Sequence, residues 1–176
     1  MQTRAAELNV ELTEDLAPDM PDAFFDPDAF HRAVLNLVTN AIDASSEHAK
    51  SIDCPDEESE QPDPSSNQSD PSSDSVHQAR VVVRTRFHPV DGWMVDVDDN
   101  GPGVNETERE KIFSLFESRK GARGTGLGLP VSAKILREHG GDIQVLDVDE
   151  GTGARFRLVL PVRGTGSDRD NVTSHA

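Results

Sequence analysis

From Asp26 to Ser45 the chain reads DPDAFHRAVLNLVTNAIDAS, a helix pattern apolar nearly all the way round. Asp26 can cap it, Pro27 suits the first helical position, and Asp28 suits the positive end of its dipole. Phe30, Val34, Leu35, Leu37, Val38, Ala41 and Ile42 leave one polar stripe, made by Arg32, Asn36, Asn40 and Asp43. Such a helix must be buried on most sides, so the fold has to place other layers around it. Residues four apart share a helix face, so the amides of Asn36 and Asn40 project together.

The surrounding pattern supplies those layers. Leu8 to Leu12 alternates like a short strand, and Val81 to Phe87 and Trp93 to Val97 alternate like a pair joined by a turn at His88 to Gly92. Asn105 to Phe116 reads as a short helix followed by loop. Leu127 to His139 reads as a helix, with Gly140-Gly141 as its stop signal. Ile143 to Val148 and Ala154 to Leu160 form a hairpin across Asp149 to Gly153. Together these predict an α+β two-layer sandwich, a mixed and mostly antiparallel sheet packed on helices. One domain is expected over residues 1–161, followed by a flexible tail at 162–176.

An acidic, Ser/Asp/Pro-rich insertion at 45–79 interrupts that domain. From Ser45 to Ser75 there are ten serines, nine acids and four prolines, with one lysine and almost nothing apolar. Such a stretch cannot offset its ordering entropy by burial, and disorder is the expectation. The whole chain has 176 residues and a formal charge of −16. A field of that sign disfavours nucleic acid and an anionic membrane surface as partners. The lone Cys54 excludes an intramolecular disulfide. No apolar run nears the roughly 20 residues of a membrane span. A cytoplasmic setting follows as the expectation.

Three segments carry chemistry. An amide oxygen of Asn40 or Asn36 can join a Mg²⁺ octahedron completed by phosphates and water, although either amide could equally bond a neighbouring loop. Asp99-Asn100-Gly101-Pro102-Gly103 closes a strand; its carboxylate suits an exocyclic amine, and Gly103 lets a flat base approach the backbone. Gly124-Thr125-Gly126-Leu127-Gly128-Leu129 runs into a helix whose exposed N–H groups suit an anion. It lacks the Gly-Lys-Ser/Thr ending of a P-loop and does not follow a strand, so neither nucleotide fingerprint of that kind applies.

In this order the segments resemble the GHKL (Bergerat, HATPase_c) ATP-binding fold, and most closely the catalytic domain of bacterial sensor histidine kinases. Asn36-Leu37-x-x-Asn40-Ala41 is similar to the N box and Asp99-x-Gly101-x-Gly103 to the G1 box. Ile112-Phe113-x-x-Phe116, with Lys120 after it, is similar to the F box, and Gly124 to Leu129 to the G2 box. The resemblance runs from about Leu8 to Pro161, apart from the insertion. It implies that Asn40, helped by Asn36, holds Mg²⁺ and phosphate, and that Asp99, Gly101 and Gly103 shape an adenine pocket. Asp43 and Gly124 to Leu129 complete the expected nucleotide contacts. It also implies a mobile ATP lid from Val104 to Arg123, in which Arg119, Lys120 and Arg123 face the γ-phosphate.

The implied function is transfer of the γ-phosphoryl of ATP to a histidine on a separate dimerisation domain, for relay to a response regulator receiver domain. No side chain of this chain is expected to act as a catalytic acid or base. Where ATPase relatives carry a glutamate this chain has Asn36, and an amide cannot activate water. His31 lies about 140° round the helix from Asn36 and does not fill that place. Ala154 stands where a Ser or Thr hydroxyl often supports the adenine aspartate. The alternatives are a serine kinase of the anti-sigma-factor type and a non-catalytic nucleotide-binding module.

Overall fold

The computed structural model of the chain describes residues 1–53, 78–114, 126–149 and 151–162. In chain order the elements are α1 (Gln2–Glu7), β1 (Val10–Asp15), α2 (Pro27–Asp53), β2 (Ala79–His88), β3 (Gly92–Asp99), α3 (Gly128–Glu138), β4 (Asp142–Leu146) and β5 (Ala154–Leu160). The five strands form one sheet in the order β1-β2-β3-β5-β4. Only the β1–β2 pair is parallel, with Val10 opposite Ala79; the other three pairs are antiparallel. Helices α2 and α3 cover one face, which gives the expected two-layer α+β sandwich.

Helix α2 starts as its sequence dictates. Asp26 Oδ1 accepts the N–H groups of Asp28 and Ala29 at 2.9 and 3.1 Å, satisfying two donors that have no helical partner. The helix then buries Ala33, Leu37, Val38, Ala41 and Ile42 against Val81, Val97, Phe156 and Leu158 of the sheet and Leu136 of α3. Fully burying a side chain such as Leu37 or Ile42 contributes roughly 2 kcal/mol.

Two boundaries differ from the sequence expectation. The helix does not stop near Ser45 but continues to Asp53, so the first part of the expected insertion is ordered. Composition misleads there because Ser45 and Ser46 are buried: their hydroxyls donate to Arg80 O (3.1 Å) near the start of β2 and to Leu8 O (3.3 Å) at the end of α1. Residues 54–77 of that segment, with Cys54, and residues 163–176 of the tail lie outside the described residues. Between Asn105 and Ser114 the chain forms two 3₁₀ turns, Glu106–Glu108 and Lys111–Phe113, in place of the short helix expected at the start of that segment. Helix α1 was not foreseen.

The other face of the sheet carries charge. Arg155 grips Asp98 through two bonds of 2.8 Å, and Arg157 grips Asp96 through two of 2.7 Å. From β2, Arg84 closes on Asp98 of β3 and Arg86 on Asp15 of β1. Planar guanidinium–carboxylate forks of this kind match geometry as well as charge. Asp96 and Asp98 are buried under their own arginines, which lets one face do without a second layer of helices.

Candidate functional site

The polar stripe of α2 is the floor of the candidate site, and two walls meet it. One wall is the start of α3. Asn36 Nδ2 donates to Gly128 O at 3.2 Å and to Ser132 Oγ at 3.3 Å, while Ser132 Oγ reaches Gly128 O at 2.9 Å. A Cβ placed on Gly128 would lie 3.8 Å from Asn36 Cβ and from Asn40 Nδ2, so both amides stand at this helix mouth. Gly126, at φ +65°, bends the chain into it, and Leu127 and Leu129 flank the glycine. Glycine is tolerated here because it approaches closely and adopts positive φ without strain.

The second wall is the turn after β3. A Cβ on Gly101 would fall 2.9 Å from Asp99 Oδ1 and 3.1 Å from Ala44, one turn beyond Asn40 on α2. Gly103 has φ +76° and packs on Gly153, whose own Cβ would collide with Asp99 O at 1.9 Å. The Asp99 carboxylate is therefore fixed between α2 and the turn before β5. Among its hydrogen bonds are those from the N–H groups of Gly101 (2.9 Å) and Ala154. Burial pushes its carboxyl up to about 6; those two N–H groups oppose the rise, and neighbouring Asp98 adds to it. A buried carboxylate held by backbone donors is poised to accept one more donor from a ligand.

The structure thus brings Asn36, Asn40, Asp99, Gly101, Gly103, Gly126, Leu127, Gly128 and Leu129 around one stretch of α2. Asp43 belongs to the same stripe, with Oδ1 2.7 Å from Arg4 Nη2 of α1. Arg119, Lys120, Arg123, Gly124 and Thr125 lie outside the described residues. Sequence reading passed over Ser132 and Gly153. A serine inside an apolar helix, four residues after Gly128, was the available signal for the first; nothing local marked the second.

His31 is exposed. His139 ties helix ends together: Nε2 accepts the Asp26 N–H at 3.0 Å and Nδ1 lies 2.7 Å from Ile135 O. A cavity of about 210 Å³ lined by Ser45, His48, Ala49, Ile52, Asn100 and Thr152 opens further along α2. It includes neither Asn36 nor Asn40.

Comparison with known proteins fits this geometry. Residues 25–164 match the family model "Histidine kinase-, DNA gyrase B-, and HSP90-like ATPase". Sensor histidine kinase ZraS of Escherichia coli O157:H7 is 34% identical over 149 residues, covering 85% of this chain and 25% of its own length. Sporulation kinase E of Bacillus subtilis (strain 168) is 29% identical over 163 residues, covering 93% of this chain and 18% of its own. The chain thus spans a quarter or less of these two relatives. Among solved structures, the catalytic domain of histidine kinase ThkA superposes with a TM-score of 0.65 at 24% identity, over 91% of this chain and 85% of that one. Full-length ShkA in complex with AMPPNP gives 0.66 at 22% identity, over 92% of this chain and 27% of that one. Those two likenesses speak to fold. The family model spans most of the chain, and this chain belongs to the histidine kinase-, DNA gyrase B- and HSP90-like ATPase family.

Proposed function

We propose that the chain is the ATP-binding catalytic domain of a sensor histidine kinase. It binds Mg²⁺-ATP and passes the γ-phosphoryl to a histidine on a separate dimerisation domain, from which a response regulator receiver domain takes it. The observation that carries this reading is the convergence on α2 of the Asp99 turn and the glycine-led start of α3. The first suits a purine amine and the second suits phosphates, so one nucleotide can span both. The similarity to sensor histidine kinase ZraS favours this over a serine kinase.

The residues fit magnesium. Among the described residues no group of three His, Cys, Asp or Glu could cage a metal alone. Mg²⁺ does not require such a cage, since it keeps waters and phosphate oxygens around one or two protein ligands. Asn40 Oδ1 is the first candidate. Asn36 has committed its NH₂ to α3, so its contribution would come through Oδ1. Magnesium, when bound, neutralises the charge that develops on the phosphate oxygens. Lys120 and Arg123 are placed by this reading at the γ-phosphate.

The protein's own work is positioning. Asp99 accepts the purine amine, Gly101 and Gly103 admit the ring, and the α3 mouth orients the phosphates. The acceptor imidazole nitrogen then forms a bond to Pγ as the bond to the bridging oxygen of ADP breaks. Asn36 can take no proton from water, so transfer prevails over hydrolysis. Among the described residues no helix is long and apolar enough to cross a membrane. On this reading the domain works in the cytoplasm, where ATP is supplied, and touches neither membrane nor nucleic acid.

The test uses γ-labelled ATP, Mg²⁺ and dimerisation domains from the named sensor kinases. The expected product is an acid-labile, base-stable phosphohistidine on the supplied domain. Label on serine would favour the serine kinase reading. Tight nucleotide binding without any transfer would overturn the kinase assignment and leave a binding module.

A further inference from the structure

The turn between β4 and β5 meets the Asp99 side of the site at both of its ends. At the end nearer β5, Gly153 presses on Asp99, and a Cβ on Gly103 would lie 2.9 Å from Gly153 O. At the end nearer β4, Asp147 Oδ1 pairs with the guanidinium of Arg109. The same guanidinium donates through Nε to Val104 O over a long 3.5 Å. Arg109 thus joins the residue that follows Gly103 to the turn that holds Asp99. Around it Val104, Ile112 and Phe113 pack on the core, which seats this stretch on the body of the domain.

We propose that Arg109 is a positioning residue for the purine: paired with Asp147, it fixes the wall at Gly103 against which the base lies. The inference rests on the reading of Asp99, Gly101 and Gly103 as the base pocket. Gly103 takes φ +76° and has no side chain with which to anchor itself, so its neighbours set its place. A wall left loose in the free protein must be ordered when the base arrives, and that ordering costs affinity. The side chains of Arg109 and Asp147 are 27% and 80% exposed, so the pair is well solvated and its effect small. Its reach is also local. Among the described residues neither side chain bonds to α2 or α3, where the phosphates and metal would sit. A plain surface staple would shift the melting temperature and leave the base and the phosphates equally well bound.

The experiment measures affinities of the 176-residue chain for adenosine, Mg²⁺-ATP and Mg²⁺-tripolyphosphate at low salt, with a melting curve for each variant. Arg109→Ala is expected to weaken adenosine and ATP alike, by about threefold, and to leave tripolyphosphate unchanged. Asp147→Ala should do the same. The double variant should be no weaker than either single one, because the two side chains act as one pair. Arg109→Lys should retain most of the adenosine affinity. Unchanged adenosine binding in both single variants overturns the proposal, as does an equal loss on tripolyphosphate or a double variant whose losses add. If Arg109→Ala does not fold, the exposed Asp147→Ala decides by the same split between adenosine and tripolyphosphate. A wild-type chain that binds tripolyphosphate but no adenosine overturns the functional reading itself.

Discussion

The Asp99→Asn substitution separates what the site costs the fold from what it gives the ligand. With its carboxyl at about 6 in place of 3.8, the ionised aspartate destabilises the nucleotide-free fold by about 3 kcal/mol at pH 7.5, and by less than about 1 kcal/mol at pH 4. The sign follows from the direction of the shift. A raised carboxyl binds its proton more tightly when folded, so the wild type gains stability as pH falls through 6, and the gain is complete below 3.8. Asparagine keeps an acceptor for the Gly101 and Ala154 N–H groups and carries no charge. It leaves an NH₂ donor without a ligand acceptor, which costs about 1–2 kcal/mol. The variant is therefore expected to be more stable than wild type by about 1–2 kcal/mol at pH 7.5 and less stable by about 1 kcal/mol at pH 4. Urea melts of both proteins without nucleotide, at both pH values, read this difference while carboxylates common to the two cancel. The reasoning fails if the stability gap between them does not change with pH, for Asp99 would then ionise like a surface group.

Four further outcomes are expected. Wild-type affinity for ATP falls about tenfold between pH 7.5 and pH 5, because Asp99 must be ionised to accept the purine amine; a flat profile in a fluorescent-nucleotide titration would remove that role. Asn40→Ala abolishes Mg²⁺-dependent ATP binding with an unchanged circular dichroism spectrum, and retained metal dependence would exclude it as the ligand. Gly153→Ala forces a Cβ to within 1.9 Å of Asp99 O at φ +136°, so a loss of more than about 3 kcal/mol is expected in a denaturant melt. Asp98→Ala leaves Arg155 and Arg84 without their shared carboxylate on the charged sheet face; a loss of about 3 kcal/mol is expected, and raised salt should not restore it.

Much of this was legible in the chain because the signals are local. Asp26-Pro27-Asp28 announced a helix start that the Asp26 cap bears out. Period-two alternation located β2, β3 and β5, and Gly140-Gly141 marked the end of α3, where Gly140 takes φ +76° and Gly141 N bonds Leu136 O. Where the chain misled, a distant partner had changed the meaning of a residue. Ser45 and Ser46 look like the first residues of a polar insertion, yet each is buried because a carbonyl from another element awaits its hydroxyl.

Sequence by itself determined most of the elements, the fold class and a glycine, amide and carboxylate set that points to a nucleotide site. Periodicity, capping and turn chemistry act within a few residues, and a reader of the chain sees all of them. Tertiary structure alone decided that Asn36 spends its NH₂ on α3, that Arg4 meets Asp43 across 39 positions, and that Gly153 presses on Asp99. Those contacts depend on how the layers stack. No local pattern encodes them, because their energy exists only once the helix, the sheet and the turns share one core.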